Sequence, residues 1–564
     1  MQIKSILQEK IKNAFNTLLI TPKTLEVSEA TKKEFGDYQY NGAMALAKEL
    51  KKNPREIATA LANELQQEDI FEKVEVAGPG FINLTLSNEF LSTNLLKALD
   101  ERAGVSKDKE PIRVVVDYSS PNMAKQMHVG HLRSTVIGDA IANLFEFLGD
   151  DVIRQNHIGD WGTQFGMLIA YFEEQGADAK QELSDLEEFY KAAKKRFDED
   201  EAFAKKAREY VVKLQSGDSF CLELWREFID ATLKHTQEVY DSLEVALNSE
   251  HIRGESAYNN DLSTIVKELE AKNIATKSQG ASCVFFDESD NPLIIQKADG
   301  GYLYATTDLA AIKFRVQKLG AKRISYVVDA RQAEHFKQVF ATAKKAGFAN
   351  EDTILEHIAF GMVLDKSGKP FKTREGGTVK LQDLINEAIA RAKKVITNAK
   401  EYSQAELEEI AKAVGIGSLK YADLSINRQS NYIFDWDKML SLDGNTALYM
   451  QYAYARINSI LQKAGEFEEK APLLSDTLEH QLALKVLQLE DILLRAYKDA
   501  SPHLIANYLY ELATLFMRFY EHNPILKEGV DKKTQQSRLT LAKATANTIK
   551  SALNILGIRV LQRI

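Results

Sequence analysis

The stretch IRVVVDYSSPNMAKQMHVGHLRST, residues 112–135, passes from strand-like to loop-like to helical character within one short segment. Its opening, Ile112–Tyr118, is a nearly unbroken apolar run of the kind buried on both faces of a parallel sheet. Downstream, Leu132, Ile137, Ile141, Leu144 and Leu148 recur at helical spacing, Gly149 stops them, and DVIRQNHI (151–158) supplies the next strand. Strand, glycine-containing turn, helix and strand make a βαβ unit, the building block of a doubly wound nucleotide fold. His128-Val129-Gly130-His131 stands at the mouth of that unit. Two histidines there can be packed side chains at a strand–helix junction. A zinc reading needs further ligands than a pair three residues apart can give, and Cys221 and Cys283 are the only cysteines. A third reading is an anion site, because helix N-terminal N–H groups and the helix dipole favour negative charge. Gly130 removes a Cβ where a flat base or phosphate approaches, and two imidazoles can donate to phosphate oxygens as charge develops.

The rest of the chain sets the frame. At 564 residues it is too long for one core and predicts several domains. With 72 basic against 81 acidic residues the net charge is −9, which opposes indiscriminate nucleic-acid binding without excluding a local basic groove. No apolar run is long enough to span a bilayer. Ile3, Leu7, Ile11, Ala14 and Leu18 share one helical face, so the N-terminus reads as a structural helix instead of a targeting segment. Two cysteines cannot build a disulfide framework, which fits a reducing cytoplasm.

The first ~105 residues read as a small α+β unit. It holds helices at the N-terminus, over NGAMALAKELKK and from Pro54, two β-runs broken by Gly78-Pro79-Gly80, and a closing helix that ends at Gly104. Residues from about 171 to 275 are charged and helical, an expected insertion. The runs ASCVFFD, NPLIIQK, YLYAT and RISYVVDA are predicted strands that complete the sheet, and after about residue 380 helical periodicity dominates. The expected domains are 1–105, 106–385 with its insertion, and 386–564.

Taken together, SSPNMAKQMHVGHLRSTVIGD, VIRQNHIGDWGTQFGMLI, DGGYLYATTDLA and FGMVLDKSGKPFKTREGGTVKL resemble the catalytic domain of bacterial-type arginyl-tRNA synthetases, with HVGH in place of the class I HIGH signature. EFGDYQYNGAMALAK and GPGFINL resemble the N-terminal addition of that family. FDWDKMLSLDGNTALYMQYAYARI and YLYELATLFMRFYEHNPIL resemble its helical tRNA-binding end. The resemblance implies a doubly wound, Rossmann-like parallel-sheet catalytic domain. An α+β N-terminal domain that reads the tRNA D-loop and an all-helical anticodon-binding C-terminal domain flank it. It implies ATP-dependent ligation of L-arginine to tRNA(Arg) through an arginyl-adenylate, with Mg²⁺ on the ATP, no structural zinc, and efficient activation only with tRNA bound. The chain is read as a cytoplasmic monomer that has no membrane partner.

Residue by residue, the resemblance places His128, Gly130, His131 and Lys125 at the ATP phosphates. The loop DKSGKPFKTREGG (365–377) stands where class I enzymes carry KMSK. It departs from that motif, which leaves Lys369 or Lys372 as the catalytic lysine, with Lys372 preferred; read by itself it is a solvated lysine-bearing hairpin. Guanidinium recognition requires planar carboxylates. Asp117 at the strand end is well placed for it, and the resemblance adds Asp308 with Tyr304 and Gln332 lining the pocket. Ser120, Asn122 and His128 would hold the α-amino and carboxylate end. An aspartate after a buried strand equally serves as a helix cap. Phe81 and Asn83 are implied to hold a tRNA D-loop base, Phe81 as a stacking surface; the bland alternative is a hairpin turn over a small core. The aromatic stripe of YLYELATLFMRFY has helical spacing and reads as core. The scaffold's cysteine-specific relatives are opposed by the missing cysteine-rich zinc site and by Asp117 with Asp308.

Overall fold

The computed structural model describes residues 1–107, 110–123, 125–176, 186–371, 379–396 and 401–564, without the side chains at 33, 186, 187 and 290. By internal contacts the chain forms two units, one of residues 1–108, 441–554 and 559–564, the other of residues 109–440 and 555–558.

In the first unit, strands Val27–Glu29, Tyr38–Tyr40, Phe81–Leu86 and Phe71–Ala77 form an antiparallel sheet in that order. Gly78 and Gly80 both take positive φ between the last two. The first helix, Ile3–Thr17, buries Ile3, Leu7, Ile11 and Ala14 as its spacing predicts, with Phe15 completing the face in place of Leu18. Asn53 caps helix Pro54–Leu65 by accepting from the Arg55 N–H, with Pro54 at the position where a missing N–H costs nothing. Five helices of the C-terminal stretch, from Ala447–Ala464 to Lys532–Ile555, build the rest. His480 of helix Thr477–Leu487 joins the two parts, with Nε2 at 3.1 Å from Asp37 and Nδ1 at 2.8 Å from Asn88 Oδ1.

The second unit is built on a parallel sheet in the order Ile354–His357, Arg323–Tyr326, Arg113–Asp117, Asp151–Gln155. Val114, Val115 and Val116 are fully buried, as the unbroken apolar run requires. Helix Val129–Phe147 follows the central strand and crosses to its neighbour. Leu186–Glu199, Glu201–Gln215 and Ser219–Leu243 make the helical insertion.

Of the four runs predicted to complete the parallel sheet, only Arg323–Tyr326 does so. Thr276–Ser278, Ala281–Phe286 and Ser289–Gln296 form their own antiparallel sheet. The reason is connection length: Phe286 pairs with Ser289 across two residues, and a parallel pair needs a crossover of a dozen or more. YLYAT is also not a strand, since Tyr302 makes one isolated bridge to Gln296 and a helix begins at Tyr304. Tyr304–Gln317 buries Ala305, Leu309 and Ile312, and this helical face outweighs the local β-preference of its first residues.

Gly138 lets the histidine-bearing helix lie directly on the strand end, because a Cβ there would sit 2.3 Å from Tyr118 Cβ. Both groups are buried and neither is a flexible side-chain tip. Gly138→Ala is expected to destabilise the unit by about 1–3 kcal/mol through overpacking, read as a lower urea midpoint at unchanged slope.

Candidate active site

Strand register builds the floor of the site. Gln155, Asp117, Tyr326 and His357 are the last residues of four adjacent parallel strands and lie directly opposite one another. They form a row at the carboxyl edge of the sheet, where open α/β sheets bind ligands. Arg315, fully buried on helix Tyr304–Gln317, spans three of them. It donates from Nη2 to Asp117 Oδ2 at 2.6 Å and from Nε to Gln155 Oε1, and its guanidinium lies 5.0 Å from the Tyr326 ring centre. Asp117, expected to meet a substrate guanidinium, is therefore already joined to one supplied by the chain.

After the central strand, His128 and His131 open helix Val129–Phe147 as a reciprocal cap. His128 Nδ1 accepts from the Gly130 N–H at 3.0 Å, and His131 Nδ1 accepts from the His128 N–H at 3.1 Å. The rings lie 4.1 Å apart, centre to centre. Burial, and then the Lys125 ammonium, lower the His128 pKa; burial, and then His128, push His131 down to about 3. Both rings are neutral near pH 7. Because each Nδ1 accepts, each ring's proton sits on Nε2, giving two N–H donors on one helix N-terminus. A zinc pair is not needed to explain this spacing; the cap requires it. Gly130 has the same explanation, since a Cβ there would lie 2.7 Å from His128 Cε1. Gly130→Ala should displace the ring and lower kcat for ATP-dependent turnover by about 10- to 100-fold, measured by pyrophosphate exchange.

The turn between strand and helix is strained and heavily tied. Ser119 and Ser120 take positive φ, 71° and 44°. The Ser119 N–H donates to Ser134 Oγ at 2.9 Å, Ser119 Oγ lies 2.7 Å from the Tyr240 hydroxyl, and the Ser120 N–H donates to Asn156 Oδ1 at 3.0 Å. Ser120 Oγ donates to Asp117 Oδ1 at 3.1 Å. Asn122 is exposed and bridges Gly159, and the exposed Lys125 holds its ammonium 4.7 Å from the Tyr190 ring centre.

Tyr304 and Asp308 lie one helical turn apart, and Tyr304 is 70 % exposed. Asp308 Oδ2 is 2.6 Å from His335 Nε2, which brings in the helix that Gln332 caps. Burial and the carboxylates of Asp160 and Asp308 push Glu255 up to about 8, so carboxyl groups crowd this wall of the site. Asp160 of NHIGDWG accepts from the Ser256 N–H at 2.8 Å and from Ser256 Oγ at 2.6 Å.

The lysine loop begins as the hairpin its composition predicts, with Leu364 bridging Pro370 and Asp365 Oδ1 accepting from the Lys369 N–H at 3.1 Å. Lys369 is exposed at its turn; Lys372 lies outside the described residues. Beyond the loop, the Val129 N–H donates to the Val379 carbonyl at 3.0 Å and the Leu381 N–H to the Met127 carbonyl at 2.9 Å, so its far stem is stitched to the histidine segment. In the other unit Asn83 is 6 % exposed and accepts from Gln39 Nε2 at 2.8 Å, which leaves the half-buried Phe81 as the accessible member of that pair.

Residues 93–436 match the family described as tRNA synthetases class I (R), catalytic domain. Residues 1–86 match the arginyl tRNA synthetase N terminal domain and 450–564 the DALR anticodon binding domain. The arginine–tRNA ligase of Alteromonas mediterranea is 50 % identical over 576 aligned positions, covering 100 % of both chains. The chain belongs to the class I arginyl-tRNA synthetases. Among solved structures, the arginyl-tRNA synthetase of Plasmodium falciparum superposes with a TM-score of 0.86 at 32 % identity, covering 100 % of this chain and 98 % of that one. The Thermus thermophilus enzyme gives 0.83 at 25 % identity with both chains covered in full.

Within this arginyl-tRNA synthetase fold, Arg315, His335, Glu255 and Tyr240 are site residues that no sequence motif marks. Glu255 and Tyr240 come from elements distant in the chain from the motifs, Arg315 and His335 share elements with Asp308 and Gln332, and none stands in a pattern of its own. The one local signal is the DLA helix itself: its period places Arg315 seven residues after Asp308, two turns along the same face.

Proposed function

We infer that this chain charges tRNA(Arg) with L-arginine, using ATP and releasing AMP and pyrophosphate. The carrying observation is the reciprocal cap of two neutral histidines on the helix that follows the central strand of the parallel sheet. In this reading Mg²⁺–ATP enters as substrate, and its phosphates meet the Nε2–H groups of His128 and His131, with Gly130 leaving room. The arginine carboxylate attacks the α-phosphorus in line, pyrophosphate leaves, and the arginyl group then passes from the adenylate to the terminal 2′-OH of the tRNA. Lys125, with Lys369 or Lys372, neutralises the departing charge. Positioning and electrostatics supply the rate.

Asp308 takes the guanidinium, with Tyr304 over it and Gln332 at its side. Asp117, fixed by Arg315, holds Ser120, which with Asn122 and His128 receives the amino-acid end. Phe81 offers the D-loop a stacking face, Asn83 supports it from the sheet, and the helices of 450–564, the segment that matches the anticodon binding domain, carry the anticodon arm. The proposed setting is a monomer in the cytoplasm, which supplies these substrates. Pyrophosphate exchange with each of the twenty amino acids, in the presence of bulk tRNA, tests the reading. Stimulation by arginine alone is the expected result; stimulation by cysteine, or by none, overturns it.

A further inference from the structure

A buried cation in the catalytic unit takes no part in the chemistry above. Lys420, 1 % exposed on helix Gln404–Leu424, donates to the Glu244 carbonyl at 2.9 Å and to the Gly557 carbonyl at 2.8 Å. Glu244 ends helix Ser219–Leu243 in the left-handed region, φ 54°, where that helix has run out of N–H partners for its carbonyls. Gly557 is also left-handed, φ +67°, and a Cβ on it would lie 3.1 Å from Lys420 Nζ and 3.3 Å from Asp139 Oδ2. The Lys420 ammonium, bonded to the Gly557 carbonyl, and the Asp139 carboxylate thus flank Gly557 from two sides, and the carboxylate acts on the ammonium through its charge and not through a direct ion pair.

Asp139 links Gly557 to the site. It lies on the histidine-bearing helix, and its Oδ1 accepts from the Tyr118 hydroxyl at 3.1 Å and from the Ala246 N–H at 2.9 Å. Tyr118 immediately precedes the strained Ser119–Ser120 turn. Residues 555–558 lie inside the segment matching the anticodon-binding domain, yet by their contacts they belong to the catalytic unit, with Ile555, Leu556 and Ile558 at most 2 % exposed. A buried ammonium persists only where its donors find partners. Here its donors converge on carbonyls from two distant segments, a helix end at Glu244 and the backbone at Gly557, near a carboxylate on the histidine-bearing helix.

We propose that Lys420 is a positioning residue, fastening residues 555–558 to the back of the histidine-bearing helix and, through Asp139 and Tyr118, fixing the Ser119–Ser120 turn. The role in turnover rests on the charging reading; the fastening does not.

The test compares Lys420→Met, Gly557→Val and the double variant in the full chain. Each single change should lower kcat of arginine-dependent exchange about tenfold while leaving KM for tRNA within about twofold, and the double variant should be no worse than either. Deuterium uptake over residues 117–128 should rise in all three, a readout independent of activity. Folded Lys420→Met protein with unchanged kcat and uptake overturns the proposal, as do effects that multiply to about a hundredfold in the double variant. Should Lys420→Met fail to fold, Gly557→Val decides by the same two readouts. Loss of arginine dependence in the unmodified chain would count against the charging reading alone, and unchanged uptake in the variants against the fastening alone.

Discussion

Replacing His131 with alanine is expected to lower the rate of arginine-dependent ATP–pyrophosphate exchange by about 10²–10³-fold, the usual loss when one preorganised donor to developing charge is removed. Two functions disappear together. The Nε2–H donor is lost, and so is the Nδ1 acceptor that holds the His128 N–H at 3.1 Å. His128 then lacks its partner in the reciprocal cap, so its own ring is no longer fixed over Gly130. KM for arginine should move far less, because the carboxylate wall lies on other elements. Burial fixes the protonation state as well. His131 in the folded chain titrates near 3 against an ordinary 6.5, so between these values the unfolded chain binds the extra proton. This contribution to stability is complete above pH 6.5 and is lost as the pH falls toward 3. Between pH 6 and 8 the kcat profile should therefore show no ionisation from His131, and a wild-type step in that range that vanished in the alanine variant would contradict the neutral-donor role.

The cap also shows what a sequence can and cannot disclose. His128, Gly130 and His131 lie within four residues, so helix geometry alone brings them together, and their spacing is legible in the sequence itself. The buried strand Arg113–Asp117 is equally plain because both its faces are covered. The antiparallel sheet of 276–296 is not legible as such, because an apolar run carries no mark of the direction of its partner. The pairings that define the site are further out of reach. Arg315 meets Asp117 across 198 residues and Lys420 meets Gly557 across 137, and no local period encodes such contacts. Asp117 illustrates the consequence. Its residue type and strand-end position suggest a guanidinium partner, and it has one, supplied by the fold itself.

That occupancy separates the two aspartates experimentally. Asp308→Asn is expected to raise KM for arginine by about 10²–10³-fold, the cost of leaving a desolvated guanidinium without its carboxylate, with KM for ATP nearly unchanged. Its present partner, His335 at 2.6 Å, is only partly buried and can turn to solvent when the carboxylate goes, so stability should change little. Asp117→Asn should act the other way round. Arg315 is fully buried, and removing the charge opposite it strands a cation that has no route to water. The expected loss is about 3–5 kcal/mol of unfolding free energy, visible as a shifted urea midpoint. Double replacement of Asp117 by Asn and Arg315 by Met removes both charges and should recover most of that stability, since a buried pair and a well-packed apolar substitute are often equivalent. Steady-state kinetics and urea unfolding on the same protein preparations settle the assignment. If Asp308→Asn loses stability while Asp117→Asn loses only arginine affinity, the roles are exchanged, and the carboxylate at the strand end is the one that reads the substrate.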